Sequence, residues 1–499
     1  GVHFLGGTQH GGAITGEKKR APQEMRLWVP VRRALSTGRT VDLCVVGSGL
    51  AGASLAALLQ ASPLTSALRI AVLDSGPLQQ PPSQQTPSSA GQDAACRLET
   101  GLRTSAISVD SQRVLEDCGV WDEIQERGAA FPFHKMEVWD AVGGGGMKVG
   151  AHLLSPSSGE DTPHLAHMVD NHVMGQALLR KLFRCGESVL MRGDTKVTRI
   201  EGAYKRRCAG NTTTVTLSGG DSLQAKLVVG ADGANSNVRS QMEVSVISHK
   251  YANRAVVRNV RHADNGTPGT AFQRFLPTGP LAILPTSPIT SNVVWSTTIE
   301  EAHDLTVCSR EEFTDRINHA LFADMRPSFD HLHSPIARGV CEGLTSLATP
   351  LRDLARSSVT PPRILEASEA SGSFPLQILH SCTYVGNRCV LVGDAAHVVH
   401  PLAGQGLNLG LADVRVLADL LLEAVRTGQD IGSDSLLQEY QQRRRLQNSM
   451  MLASLQGMKT LFESGSTIPL VPEIRSAGLS LFSALPFLQR FAMAQAGSR

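Results

Sequence analysis

The sequence predicts an α/β fold: a Rossmann-like unit assembled from separated segments, a second domain with a mixed or antiparallel β-sheet, and a helical C-terminal tail. Three observations carry this. An apolar strand over 41–46 runs into Gly47-Ser48-Gly49-Leu50-Ala51-Gly52 and then a small-residue helix over 53–60. Two later buried-type strands, over 227–229 and 389–392, also end in glycine and aspartate, as Gly230-Ala231-Asp232-Gly233 and Gly393-Asp394. Between them, most of 246–379 alternates or runs apolar between turn signals, the pattern of strands.

Composition narrows the classes. At 499 residues, with 41% hydrophobic and 18% charged residues, the chain can bury the cores of two or three domains, which excludes wholesale disorder. A net charge of +2 argues against nucleic acid as a partner; the one dense basic run, Arg443-Arg444-Arg445, reads as a solvated helix face. Nine cysteines without a C-x-x-C pair suit neither a disulfide framework nor a zinc ribbon, and point to a reducing compartment. No window reaches the roughly 18–20 uninterrupted apolar residues of a spanning helix.

Residues 1–24 are glycine-rich and accessory. The stretch 25–39 holds four arginines, two hydroxyl residues and no acid, the composition of a mitochondrial transit peptide or of a basic tail; on the first reading Met25 is the natural start. In the glycine loop the first glycine makes the turn, the second lets backbone approach a pyrophosphate, and the third lets helix pack on strand. A second strand over 68–73 ends in Asp74, 22 residues after Gly52, placed to accept ribose hydroxyl hydrogen bonds. Residues 76–93 read as a surface insertion, and 111–118 as an amphipathic helix capped by Gly119. After a strand of a separate sheet at 138–140, a glycine link at 143–146 and a loop at 155–163, the pattern gives a helix over 171–183. Strands follow over 189–200, 213–217 and 227–229. Asp232 then sits at a strand's carboxyl end, where it can face a ligand or cap the next helix. Strands over 255–260, 271–276, 281–284 and 292–298 make the second sheet, with helical sequence near 310–322. The chain returns through Phe374-Pro375-Leu376 to the strand over 389–392. Past it, a Pro-Gly loop and a helix from 407 to about 426 bring backbone N–H groups and a helix N-terminus to one point, so an anionic group is expected there. A further helix covers 433–462. Apolar clusters over 468–494 fit a packed cap, an interface or a membrane-facing element.

The glycine loop Gly47–Gly52, Gly230-Ala231-Asp232-Gly233 and Gly393-Asp394-Ala395-Ala396-His397, in this order, resemble the single-component FAD-dependent aromatic hydroxylases, the family that includes para-hydroxybenzoate hydroxylase. More narrowly, His400-Pro401-Leu402-Ala403-Gly404-Gln405-Gly406-Leu407-Asn408-Leu409-Gly410 followed by Asp413 resembles the signature of the ubiquinone-biosynthesis monooxygenases. Phe272-Gln273-Arg274-Phe275-Leu276-Pro277-Thr278-Gly279-Pro280 and Val294-Trp295-Ser296-Thr297 are similar to the mitochondrial ring hydroxylases of that group. The resemblance spans about residues 41–495.

It implies FAD, with its pyrophosphate over Gly47, Gly49 and Gly52, adenine ribose at Asp74, Arg103 on the cofactor and the ribityl chain at Gly393 and Asp394. Asp232 and Gly233 support it, and the isoalloxazine lies over 401–406, touching Gly404, Gly406, Leu407 and Asn408. The N-terminus of the helix beginning near Leu407 suits the negative charge of reduced flavin. His400, Pro401 and Gln405 are the candidate catalytic groups, His400 as flavin tuner or proton relay. Arg274 is a candidate partner for a substrate carboxylate or else a structural surface arginine. His397, His400 and Asp394 lack the ligand geometry of a metal site. The implied division is 1–40 transit peptide or extension; 41–135, 166–245 and 376–430 FAD-binding; 136–165 and 246–375 substrate-binding; and 431–499 C-terminal helices. The implied reaction hydroxylates a polyprenyl-4-hydroxybenzoate ring ortho to its phenol with O2, through a flavin hydroperoxide. The resemblance further implies electrons from a ferredoxin and its reductase, a ubiquinone-biosynthesis complex, and peripheral attachment to the matrix side of the mitochondrial inner membrane. The alternatives are a polyprenyl reductase of the same fold, a non-catalytic FAD-containing scaffold, and an NADPH-dependent hydroxylase of small soluble phenols.

Overall fold

Strand β1 (Arg39–Val46) is buried without interruption from residue 41 to 46, as a central strand covered on both faces must be. The computed structural model describes residues 39–78, 101–141, 146–150, 164–204, 210–323, 360–399 and 405–464. The transit-like stretch before Arg39, most of the insertion after residue 76 and the apolar clusters over 468–494 lie outside the described residues.

After β1 come α1 (Leu50–Ala61) and β2 (Ile70–Leu73), then β3 (Thr104–Ser108), α2 (Val109–Asp117) and α3 (Trp121–Glu126). Gly119, at φ +69°, ends α2 by donating its N–H to the Glu116 carbonyl at 2.7 Å, the cap the sequence predicts. Strands β4 (Ala130–Phe133), β5 (Lys135–Asp140), β6 (Gly146–Gly150) and β7 (Ala166–Asp170) precede α4 (Asn171–Arg184), which begins where Asp170 Oδ1 accepts the His172 and Val173 amides. The single run predicted over 189–200 is two strands, β8 (Val189–Arg192) and β9 (Val197–Ile200), because Asp194 at φ +50° turns the chain between them.

Next are β10 (Thr213–Leu217), β11 (Ser222–Gly230), α5 (Asn237–Gln241), β12 (Val246–His262), β13 (Thr270–Leu276), β14 (Gly279–Pro285) and β15 (Thr290–Thr298). Helices α6 (Ile299–Val307) and α7 (Arg310–Phe322) follow. The chain resumes with β16 (Ile364–Ser381), β17 (Val385–Gly386), β18 (Cys389–Leu391), β19 (His397–Val398), α8 (Gln405–Thr427) and α9 (Asp434–Ser464).

The first sheet runs β17-β18-β11-β1-β2-β8, with β10 on β11 and β9 on β10. Its β18, β11, β1, β2 and β8 are mutually parallel, so their carboxyl ends meet along one edge. That edge is where open α/β sheets bind ligands. The second sheet runs β19-β16-β12-β15-β14-β13-β5-β6 and is antiparallel except for β13 against β5. Phe313, Ile317 and Leu321 of α7 share a buried cluster with Phe272, Leu281 and Trp295, covering its back face. The third sheet is β3-β7-β4.

One expected boundary shifts. Phe374-Pro375-Leu376 lies inside β16, which still pairs with β12 on both sides of it, so the second sheet keeps the chain to Ser381. Pro375 fits because the register slips there, between Lys250 and Arg254 of β12.

Candidate cofactor site

At the edge where the parallel strands end, three glycines do three different things. Gly47 has φ +105°, and a Cβ there would stand 2.3 Å from the Ala231 carbonyl oxygen after β11. A Cβ on Gly52 would stand 2.1 Å from the Gly47 oxygen. Both therefore close protein against protein. Gly49 alone faces open space, with nothing within 4 Å of its Cβ position. It is the N-cap of α1, which has no side-chain cap and no acid in its first turn, so no side chain of the helix itself compensates its positive pole. An anion fits there.

Asp74, just past β2, lies against the same loop. Its Oδ2 accepts the Ser48 N–H at 2.7 Å and the Ser48 hydroxyl at 2.6 Å, and its Oδ1 accepts the Gly76 N–H at 2.8 Å. The carboxylate is thus fixed beside the glycine loop.

Gly393, at φ +59°, opens a short 3-10 turn after β18. A Cβ on it would approach Ala51 Cβ to 3.3 Å, and one on Gly410 of α8 would approach Gly393 Cα to 3.3 Å. The first turn of α1, the Gly393 turn and α8 therefore cross at one point, and Gly410 serves this crossing. Asp394 projects into solvent. Protein packed around it raises its carboxyl above the ordinary value, and the charges of His397 and Arg103 pull it back. Arg103, exposed just before β3, thereby falls within electrostatic reach of Asp394.

Several predicted site residues have other occupations. Both oxygens of Asp232 cap α5: Oδ1 accepts the Ser236 hydroxyl at 2.5 Å, and Oδ2 accepts the Asn237 and Val238 amides at 2.7 and 3.1 Å. Of the two roles open to it, the cap is the one seen. Gly233 has φ +78° and open space beyond it. Asn408 spends its side chain on β3, accepting the Ser108 N–H at 3.1 Å and donating to the Ala106 carbonyl at 2.8 Å. It ties α8 to the strand after Arg103. Leu407 packs on the first core, and a Cβ on Gly406 would meet Val399 Cγ2 at an ordinary 3.5 Å. Arg274 is not a surface residue, and both of its terminal nitrogens are engaged by the protein. It is 5% exposed, and those nitrogens each donate at 2.7 Å to the Ala320 and Ala323 carbonyls at the end of α7. His400, Pro401 and Gly404 lie outside the described residues, as does the side chain of Gln405, whose backbone begins α8.

The largest correction is Arg444. Instead of joining a solvated face, it is 1% exposed and forms an ion pair with Asp413, which is wholly buried. Burial would raise the Asp413 carboxyl, but His397 and Arg444 outweigh it and hold the group far below the usual range. Arg239, 9% exposed, was also missed. Its guanidinium donates to the Ala234 and Ala395 carbonyls at 2.7 and 2.9 Å, clamping the loop after β11 to the Gly393 turn. No cluster of three or more metal-ligating side chains occurs among the described residues.

A helix pole at a glycine loop, an oriented acid beside it and a glycine-aspartate turn crossing it define a dinucleotide-binding flavoprotein. Residues 95–330 and 348–453 match the FAD binding domain family, and FAD is the cofactor. The fold is similar to p-nitrophenol 4-monooxygenase PnpA from Pseudomonas putida, at TM-score 0.62 and 19% identity, covering 93% of this chain and 99% of that one. It is also similar to aklavinone-11 hydroxylase, solved with FAD and aklavinone, at TM-score 0.53 and 18% identity, covering 85% and 69%. In sequence the chain is 33% identical over 467 residues to the mitochondrial ubiquinone biosynthesis monooxygenase COQ6 of Mus musculus, covering 93% of this chain and 92% of that protein. With COQ6 of Homo sapiens it shares 34% over 464 residues, 92% and 93% of the two chains. The chain belongs to the ubiquinone biosynthesis monooxygenase family and is an FAD-dependent monooxygenase.

Proposed function

We propose that this enzyme hydroxylates a polyprenylated 4-hydroxybenzoate ring ortho to its phenol, in ubiquinone biosynthesis, at the matrix face of the mitochondrial inner membrane. The observation that carries the reading is the meeting of the Gly49 helix pole, Asp74 and the Gly393-Asp394 turn at one sheet edge, in a chain related over nearly its full length to the ubiquinone monooxygenases.

Gly49 and the α1 pole would hold the pyrophosphate of FAD, and Asp74 its adenine ribose. Asp394 and Arg103 take the ribityl side, and the loop 401–406 with the start of α8 takes the ring. His400, Pro401 and Gln405 remain the catalytic candidates of that loop. The first turn of α8 has no acid, so its pole favours negative charge developing on the ring. FAD supplies the activation of O2; the chain binds and orients, and keeps water from the reacting atoms. The cofactor unit draws on segments within 41–135, 166–245 and 382–430, and the substrate unit on 136–165 and 246–381, with α9 (Asp434–Ser464) packed against the first. Ferredoxin and its reductase supply electrons, and a biosynthetic complex hands on the substrate. Residues 25–39 act as the transit peptide.

The test is FAD content in Gly49→Trp, whose indole would fill the open space at the pole. We expect a folded protein without bound FAD; a folded variant with normal FAD content overturns the placement. For the reaction, we expect 18O from labelled O2 in the ring of the product, and its absence overturns hydroxylation.

A further inference from the structure

Beneath the Gly393 turn lies a buried polar group that joins three elements distant in sequence. The Asp413 carboxylate of α8 accepts four hydrogen bonds. Oδ2 takes the Gly393 N–H at 3.0 Å and His397 Nε2 at 2.6 Å. Oδ1 takes Arg444 Nε at 2.7 Å and Asn448 Nδ2 at 3.2 Å, both from α9. Arg444 is fixed in turn, donating to Asn448 Oδ1 at 2.8 Å, Gln447 Oε1 at 2.5 Å and the Leu409 carbonyl at 3.3 Å. Asn448 also donates to the Tyr384 hydroxyl at 3.3 Å, and Tyr440 of α9 donates to the Leu391 carbonyl at 2.9 Å, at the end of β18. Tyr440, Arg444 and Asn448 of α9 thus reach the strand before the Gly393 turn and the helix beneath it.

The Gly393 N–H is therefore held by a side chain, and that side chain is aimed by α9. We infer that Arg444 and Asn448 are positioning residues for the flavin half of the FAD site. Through Asp413 they fix the Gly393 amide and His397, so that α9, outside every cofactor motif, is part of the site. A buried carboxylate with four donors has one orientation. With the guanidinium gone, it turns toward its remaining partners or draws in water, and the Gly393 turn moves with it. The Gly393 turn meets α1 at Ala51, and none of the hydrogen bonds of this group reaches the Gly49 loop or Asp74, so the ADP half should sense the change far less than the flavin half. The inference rests on the placement of the ADP half over Gly49 and the ribityl chain at Asp394.

The experiment separates the two halves. Full-length holoenzyme is dialysed to equilibrium against FAD, alone and with ADP as competitor, giving the FAD Kd and the ADP inhibition constant; the thermal midpoint is recorded alongside. For Arg444→Met we expect the FAD Kd to rise at least about tenfold, equivalent to one charge-assisted hydrogen bond, with the ADP constant within about twofold of the parent. Arg444→Lys, which keeps the charge without the fork, should fall between. If Arg444→Met is insoluble, Asp413→Asn with Arg444→Met removes both charges together and should show the same selective loss of FAD. Equal weakening of FAD and ADP, or an unchanged FAD Kd, overturns the inference. Gly49→Trp in the same assay should lose both ligands. If it retains both, the placement of the cofactor falls and the inference with it; if it loses both while the Arg444 variants show no selectivity, the inference alone falls.

Discussion

Gly49 and Gly52 belong to one motif, yet alanine should affect stability at Gly52 and cofactor binding at Gly49. At Gly52 the new Cβ would stand 2.1 Å from the Gly47 carbonyl oxygen and 3.1 Å from both Ala231 Cβ and Val45 Cγ1. The first contact is more than about 1 Å inside van der Waals range. The obstructing atom is backbone in a loop whose φ is already +105°, so it has no rotamer by which to move aside. Alanine gains about 1 kcal/mol of helix propensity in α1, while overpacking against a fixed atom costs about 3 kcal/mol, the upper end of its usual range. The net loss is about 2 kcal/mol, a fall of several degrees in thermal midpoint. At Gly49 the backbone, at φ −61° and ψ 176°, suits alanine and nothing lies within 4 Å. There the substitution should leave stability within about 0.5 kcal/mol of the parent, because the gain of about 0.4–1 kcal/mol through the unfolded chain is offset by alanine's being a poorer N-cap than glycine. It should weaken FAD, because the methyl occupies the approach to the helix pole. Thermal midpoints of the two variants with and without added FAD, together with the FAD Kd, read both effects. If Gly49→Ala destabilises the protein as much as Gly52→Ala, or binds FAD as tightly as the parent, the division of labour between these glycines is wrong.

Two further outcomes follow from buried polar groups. Arg274→Met should remove two donors from the end of α7 and cost about 2–3 kcal/mol, lowering the thermal midpoint while FAD absorbance per folded molecule stays constant; an unchanged midpoint with lost turnover would restore Arg274 to a substrate role. His167, buried edge-to-face against Trp121, has its pKa pushed down to about 4, chiefly by burial and also by His164 and His134. The unfolded chain therefore takes up a proton that the fold refuses, and stability should fall by up to about 3 kcal/mol as pH drops from about 6.5 to 4. His167→Phe should flatten that limb of a midpoint-against-pH curve, and a limb as steep as the parent's would refute the assignment.

What the sequence made legible was local. The strand, glycine loop and helix of 39–61 follow from a buried run and three glycines, and α7 occupies the very residues, 310–322, that its periodicity suggests. Asp74 was legible because its distance from the glycine loop is set by one βαβ unit. Asp232 was read as a cofactor contact in preference to a helix cap, and its cap bonds form because Ser236, Asn237 and Val238 offer three donors within six residues. Arg239 went unassigned, and Asn408 was expected at the flavin, with no sign of its bonds to β3. Their partners lie 156 residues away at Ala395 and about 300 residues away on β3, and no local pattern encodes such contacts.

Arg444 shows a different failure, because its signal was present. Leu437, Tyr440, Arg444, Asn448 and Leu452 recur at spacings of three and four, and all five are buried. The neighbouring Arg443 and Arg445 made the triplet look like a charged surface, and the period was overruled by the composition. Read by period, an arginine on an apolar helix face demands a buried acceptor, since an unpaired guanidinium there would be far too costly. The aspartate that ends the glycine-rich signature, equally out of place on the buried face of α8, is the natural acceptor. The two anomalies cancel only against each other. A charge that seems misplaced on one amphipathic helix can thus locate its partner on another, and here the pair lies directly under the turn that presents Asp394.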